Sequence, residues 1–405
     1  SVLLKMLMVC ALLKAVFPWQ NSNVVDMSKN NITIVRDGVF INHTHLEYLD
    51  LSYNKISEIS SEAFSGLKSL NILNLEENNL KILKTGIFSD LISLWVIHLQ
   101  GNEISEIETG AFTGLLSLHT LSLQRNKLSV LKNGIFKNLA FLKILNLYDN
   151  GILEIEPEAL FGLQALEILQ LQKNKLKMLT HMIFSNLRSL KELILDNNEI
   201  SVIESDAFSD LQSLNIILLF SNNLTKVSDG IFSNSSSLKR IDLTDNNIFM
   251  IEPGSFSNLK QCDFLDLFHN KLTKLYAAMF NGMSSLQELS LTVNEITDVE
   301  SGAFMGLENL EYLFLDKNNL SKIPTDVCEH LPKLNYLTIR SNIMMDGPSE
   351  YESSNEIREL CLTMEPSHVE TGTSFDNATV SSSQTVQPLI CILCGYSVFI
   401  LLTIT

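Results

Sequence analysis

The chain has 405 residues, 45% hydrophobic and 19% charged, which supplies enough apolar side chain for a large core and excludes a disordered or collagen-like polymer. Its formal net charge is -17. That balance argues against a nucleic-acid partner, because phosphate binding needs clustered Lys and Arg to release counterions.

Residues 1–20 carry Lys5 ahead of an apolar run from Met6 to Leu13, interrupted by Lys14 and followed by Phe17 and Pro18. A basic residue ahead of such a run reads as a secretory signal peptide, with an anchor or a buried cap strand as alternatives. Residues 21–45 form a degenerate first unit ending at Asn30. From Leu46 the pattern Leu-x-x-Leu-x-Leu-x-x-Asn returns every 24 residues, and its asparagines fall at Asn54, Asn78, Asn102, Asn126, Asn150, Asn174, Asn198, Asn222, Asn246, Asn270, Asn294, Asn318 and Asn342 without insertion. Residues 46–342 are therefore thirteen stacked repeats. Each Leu-x-Leu segment predicts a short strand with its leucines inward and the intervening residues outward. Each Asn amide can serve the backbone groups of a tight bend. The second half of a unit carries Phe at 40, 64, 88, 112, 136, 184, 208, 232, 256, 280 and 304, with Leu160 and Cys328 as variants of the same slot. Ala-Phe units at Ala63, Ala111, Ala207 and Ala303 alternate with Gly-Ile-Phe units at Gly86, Gly134 and Gly230, so the true period is 48. The expected fold is α/β: a right-handed solenoid of horseshoe shape, with a parallel sheet on its concave face and short helical or irregular convex segments.

Residues 343–376 read as a C-terminal flank, with a short covering helix expected near Glu350 to Leu362. Residues 377–388 read as a stalk, and 389–405 as an uncharged apolar tail. Small residues at Asn377-Ala378-Thr379, a polar spacer and that tail fit a lipid-anchor signal with Asn377 as the attachment site, and a short membrane-spanning tail is the alternative. Either reading puts the repeats outside the cell, at the plasma-membrane surface or secreted. Of the six cysteines, Cys10, Cys391 and Cys394 lie in these terminal segments, leaving Cys262, Cys328 and Cys361 for the domain, which is no zinc spacing and a poor disulfide framework. Glycosylation sequons begin at Asn31, Asn42, Asn223, Asn234 and Asn319, and a further one at Asn377.

No nucleophile elbow, HExxH or phosphate-loop motif occurs, and the eight histidines are scattered, so the chain reads as no enzyme, with no metal and no cofactor. His98 and His269 project on the sheet side but read as polar contacts. The pattern fixes which residues face outward, and toward the C-terminal half these include Ile194, Leu218, Phe220, Phe264, Phe268, Tyr312, Phe314 and Tyr336. Exposed aromatic patches mark interaction sites. Discounting the often-apolar first column leaves Leu218, Phe220, Phe268 and Phe314 as the expected centre of ligand binding, with Tyr312 and Tyr336 beside it. Asp242, Asp266, Asp196, Asp316 and Arg340 are expected to form a mostly acidic rim suited to basic groups on a partner. Two carboxylates at Asp242 and Asp266 fall short of a calcium site.

The strand pattern together with the Ala-Phe-x-Gly-Leu and Gly-Ile-Phe-x-Asn-Leu segments resembles extracellular leucine-rich-repeat proteins: the variable lymphocyte receptors of jawless vertebrates, Toll-like receptor ectodomains and invertebrate repeat-only proteins. The resemblance covers roughly Asn21 to Asn342 and implies ligand binding on the concave face, in innate immune recognition or cell adhesion. The partner class is a protein or a glycan, and a homodimer is possible in principle. A homophilic scaffold and a non-catalytic subunit of a secreted enzyme are the other readings. The chain departs from those families at its ends. Met27 stands where a cap cysteine would fall, and Ile343-Met344-Met345-Asp346 replaces the C-terminal cysteine cap. Two readings stay open there: a Cys328–Cys361 bridge, or a buried Cys328 thiol.

Overall fold

The computed structural model describes residues 23–324, 326–343, 350–351 and 357. The chain divides into two units, Ser1–Glu365 and Pro366–Thr405, and every described residue belongs to the first. The expected signal segment, stalk, Asn377, apolar tail, Cys10, Cys361, Cys391, Cys394 and the Cys328 side chain lie outside the described residues.

Fourteen three-residue strands, from Val24–Asp26 to Tyr336–Thr338, pair in parallel and in chain order, each offset from the next by one repeat, as in Ile216↔Arg240 and Leu218↔Asp242. The result is a solenoid of 24-residue coils. Along each strand the middle residue is buried and its neighbours are turned outward, as the alternation of apolar and variable residues requires. The leucines before, within and after each strand fill one continuous core. Cys262 occupies a leucine position there, fully buried.

The asparagines bond the coils together. Asn78 Oδ1 accepts the Ile56 N–H of the preceding coil at 2.9 Å, and its Nδ2 donates to the carbonyls of Leu51 and Leu75 at 3.0 and 3.1 Å. The same triple recurs up to Asn318. This answers where the backbone groups of a buried bend find partners. The residue before each ladder asparagine is left-handed, from Lys29 (φ 57°) to Ser341 (φ 57°), and only Gly101 among them is glycine. Such a conformation costs an ordinary residue about 1–2 kcal/mol, which the ladder bonds offset.

The phenylalanines stack into a spine, with ring centroids 5.9–6.5 Å apart from Phe40 to Phe136 and from Phe184 to Phe304. Leu160 fills the gap between the two runs, and the adjacent Phe161 is 53% exposed. The convex segments are turns rather than helices. Among the described residues Val327–His330 forms a single helical turn.

The 48-residue period has a structural basis. After each bend up to that of Asn294 a second, two-residue strand forms, and these pair two by two: Ile34–Val35 with Glu58–Ile59, Ile82–Leu83 with Glu106–Ile107, and onward to Lys274–Leu275 with Asp298–Val299. Within the last five pairs a glutamate of the later coil accepts a backbone N–H of the earlier one, as Glu108 does from Thr85 (2.8 Å), Glu204 from His181 (2.7 Å) and Glu300 from Ala277 (3.0 Å). That N–H immediately precedes a left-handed residue, Gly86, Met182 or Ala278, which is why the earlier coil of a pair so often carries Gly there. These carboxyls sit below the ordinary range because the backbone N–H favours the charged form.

At the C-terminal end, the flank departs in part from the helix expected near Glu350 to Leu362. Glu350–Tyr351 adds to the last parallel strand as an antiparallel strand, so the sheet edge is closed first by strand pairing, which satisfies its open N–H and C=O groups. Ile357, helical and buried, packs into the core beyond it.

Candidate functional site

The outward residues of the strands form columns along the sheet face, one residue per coil and about 4.8 Å apart. The expected patch does not form an unbroken apolar run. Leu218 and Phe220 share one coil, Phe268 lies two coils on with Thr244 between, and Phe314 lies two further on. Between Leu218 and Phe314, the same column carries Asp242, Asp266 and Ser290. The site is thus two apolar shoulders. One is Ile194, Leu218 and Phe220. The other is Tyr312, Phe314 and Tyr336, whose rings meet at 6.4 Å (Tyr312–Tyr336) and 5.8 Å (Phe314–Tyr336). Phe268, 37% exposed, stands beside the floor between them.

That floor is acidic, which revises the expected rim. Asp242 and Asp266 are half-buried in mid-column, and Asp196 is only 6% exposed, because the column pattern places them between neighbouring coils. Asp242 Oδ1 accepts the Thr244 N–H (3.1 Å) and Asp266 Oδ1 the Phe268 N–H (2.8 Å). Asp26, Asp50, Asn74 and Asn146 make the same two-residue closure in their own coils. One oxygen of each carboxylate therefore shapes the turn, and the Ser290 and Thr244 side chains also hydrogen-bond the Asp266 carboxylate. Burial pushes the Asp266 carboxyl up, with Asp242 adding to it and the Phe268 N–H opposing. Burial does the same to Asp196, and to Glu288, where Asp266 adds to it and Arg240 opposes. A positive partner group would relieve all three. Arg340 is exposed at the far end and its N–H donates to Asp316 Oδ1 at 2.6 Å.

Arg240 and Glu288 were not among the expected residues. Arg240 lies over the Phe264 ring at 3.8 Å, a cation–π contact that holds both beside the acidic floor. The signal was available: both occupy the first outward column, which is apolar or aromatic in most other coils and was discounted for that reason.

His98 is half-buried at a strand end, and burial lowers its pKa. His269 belongs to the turn edge, where Ser221 Oγ donates to Asp245 Oδ2 (3.0 Å) and His269 Nδ1 meets Asp245 Oδ1 (2.7 Å). These three line a shallow cavity of ≈ 530 Å³. The aspartate stands between serine and histidine, so the imidazole has no contact with the hydroxyl it would need to deprotonate. Asn31, Asn42, Asn223, Asn234 and Asn319 are all exposed and lie off the sheet columns. Among the described residues no group of three or more His, Cys, Asp or Glu is arranged to hold a metal, and no helix is long and apolar enough to cross a membrane.

Comparison with solved structures finds the same fold widely. A leucine-rich-repeat protein of Leptospira interrogans is 25% identical, with 86% of this chain and 96% of that chain covered and a TM-score of 0.55. The Drosophila Toll–Spatzle complex gives 19% identity, 77% and 47% coverage and a TM-score of 0.60, so this chain spans about half of that one. The TLR13–ssRNA13 complex gives 22% identity, 80% and 67% coverage and a TM-score of 0.44. No curated protein sequence matches the chain. The leucine rich repeat profile matches seven overlapping segments, 23–80, 69–128, 116–176, 164–224, 212–272, 265–320 and 284–344. With its coils, asparagine ladder and phenylalanine spine, the chain belongs to the leucine rich repeat family.

Proposed function

We propose that this protein is a non-enzymatic binding protein of the cell surface or extracellular space, taking a protein or glycan ligand on its sheet face in innate immune recognition or cell adhesion. The observation that carries the reading is the acidic floor of Asp242 and Asp266 held between the Leu218/Phe220 and Tyr312/Phe314/Tyr336 shoulders. Aromatic shoulders supply contact area, and a desolvated carboxylate rewards a basic group that approaches it. A polyanion such as nucleic acid would be repelled there. A second copy placed face to face would also bring like charges together, so a monomer is expected in light scattering. The fold of Toll, whose structure holds Spatzle, supports an extracellular setting. Glycans on the five exposed sequon asparagines would leave the sheet face open.

The test is capture from conditioned medium by the full-length chain displayed on cells. Phe220→Ser with Phe268→Ser is expected to weaken capture at least tenfold, since each truncated hot-spot aromatic is worth about 1–2 kcal/mol or more. Undiminished capture would remove the patch from the reading. Release of the displayed chain by phosphatidylinositol-specific phospholipase is expected for a lipid anchor at Asn377, and retention would favour a spanning tail.

A further inference from the structure

The other half of the sheet face has a different chemistry. Across four consecutive coils the outward columns read Val96, Thr120, Ile144, Ile168, then His98, Ser122, Asn146, Gln170, then Gln100, Gln124, Tyr148, Gln172. None is Asp, Glu, Lys or Arg, although the chain as a whole is 19% charged and Glu76, Glu192 and Asp196 border this window. The columns make three stripes parallel to the solenoid axis: a largely aliphatic one, a polar one and an amide one.

The amide stripe is unusual. The Oε1 atoms of Gln124 and Gln172 are buried and accept no hydrogen bond among the described residues, and Gln100 lies against the His98 ring. Such atoms are costly to bury without a donor, and a glutamine amide can turn either its oxygen or its NH2 toward a ligand. At the start of the strands on two of these coils, the indole of Trp95, 53% exposed, stacks on His119 with ring centroids 3.8 Å apart.

We infer that this window is a binding site for a neutral, linear glycan lying along the solenoid axis. A pyranose chain presents an apolar C–H face beside an edge of hydroxyl or acetamido groups, which matches an aliphatic stripe beside a column of three amides and a tyrosine hydroxyl. In an extended β-linked chain alternate sugars turn the same face to one side, so like-facing groups recur roughly every two coils of about 4.8 Å each. An extended peptide repeats its like-facing groups about every 6.8 Å, out of step with the coils. The three columns themselves offer a charged ligand no counter-charge, and Lys143 and Glu167, which follow Trp95 and His119 in the flanking column, pair with each other at 3.3 Å. The Trp95–His119 stack offers the aromatic surface that sugar rings favour. This site is separate from the aromatic and acidic half of the face and stands whether or not that half binds a partner.

The experiment is isothermal titration of the full-length protein with two probes, the neutral β-linked hexasaccharides of glucose and of N-acetylglucosamine. Binding of at least one is expected. It should fall at least tenfold in Gln124→Glu, which keeps the side chain's shape but adds a charge, and severalfold in the exposed-site variant Trp95→Ala. Phe220→Ser with Phe268→Ser should leave it unchanged. Unaltered melting of Gln124→Glu and Trp95→Ala separates a lost site from a lost fold. Failure of the native chain to bind either hexasaccharide at millimolar concentration, binding that ignores both window variants, or equal loss in the Phe variants would overturn the inference.

Discussion

Removing one rung of the asparagine ladder tests the account of how the coils hold together. Asn198, 8% exposed, accepts the Leu176 N–H at 3.1 Å and donates to the carbonyls of Leu171 and Leu195 at 3.0 and 2.9 Å. In Asn198→Ala, both carbonyls keep one donor, because Asn174 still serves Leu171 (2.9 Å) and Asn222 still serves Leu195 (3.0 Å). The Leu176 N–H has no such reserve. A buried donor left unsatisfied costs about 1–3 kcal/mol and each weakened carbonyl a fraction of that, so the loss should be about 3 kcal/mol. Solenoids do not always unfold in one step, so hydrogen exchange at the Leu176 amide is the direct assay, with urea unfolding beside it. Protection at Leu176 should drop by roughly two orders of magnitude, converting that energy at about 1.4 kcal/mol per tenfold. Asn30→Ala, which loses only an exposed bond to the Ser28 carbonyl, should change stability by less than about 0.5 kcal/mol. Unchanged Leu176 protection in Asn198→Ala would refute the ladder as the connection between coils.

Phe208→Ala, which opens a hole beside Phe184 and Phe232 in the spine, should cost about 3–5 kcal/mol in urea unfolding, whereas Phe161→Ala should stay within about 0.5 kcal/mol. The Cys262 thiol, fully buried and pushed up to about 12 by burial, should resist iodoacetamide in the native protein and react only after unfolding, as read by mass spectrometry of its peptide. Asp266→Asn should raise the melting temperature at pH 7. Burial raises the folded carboxyl above its unfolded value, so ionisation opposes folding as pH rises past about 4; the gain should vanish below that pH. Glu300→Gln should do the reverse. Its carboxyl is lowered in the fold, so the stability it adds is present above the ordinary carboxylate range and is lost as pH falls, leaving the variant with a melting temperature less sensitive to acid.

The repeat was legible because one coil's chemistry is imposed thirteen times over: each Asn54-type position meets the same bend, and each Leu49-type position the same core. The 48-residue period was visible in Ala-Phe and Gly-Ile-Phe. Its cause, the Glu108-type carboxylate reaching into the preceding coil, was not, because it depends on which N–H the left-handed Gly86 leaves unpaired. The C-terminal flank was legible only in part: the helix expected near Glu350 to Leu362 is met at Ile357, while Glu350–Tyr351 pairs with a sheet edge whose open backbone groups no local pattern announces. At the binding face, the outward residues could be named from the pattern alone. Their grouping could not, since whether Asp266 is rim or floor depends on how far each coil shields the next, and a buried amide oxygen such as that of Gln124 leaves no trace in the order of residues.

The two-residue strands and glutamate clasps join coils within pairs, while neighbouring pairs share the main sheet, the ladder and the spine together with side-chain contacts such as Asp90 to the Gly66 N–H at 2.9 Å. Stiffness therefore alternates along the molecule. A chain pulled from its ends would yield two coils at a time, each step freeing 48 residues, or about 160 Å of extended backbone at roughly 3.4 Å per residue. A force trace would show the doublet as a mechanical unit, with the binding face growing or shrinking in doublets as well.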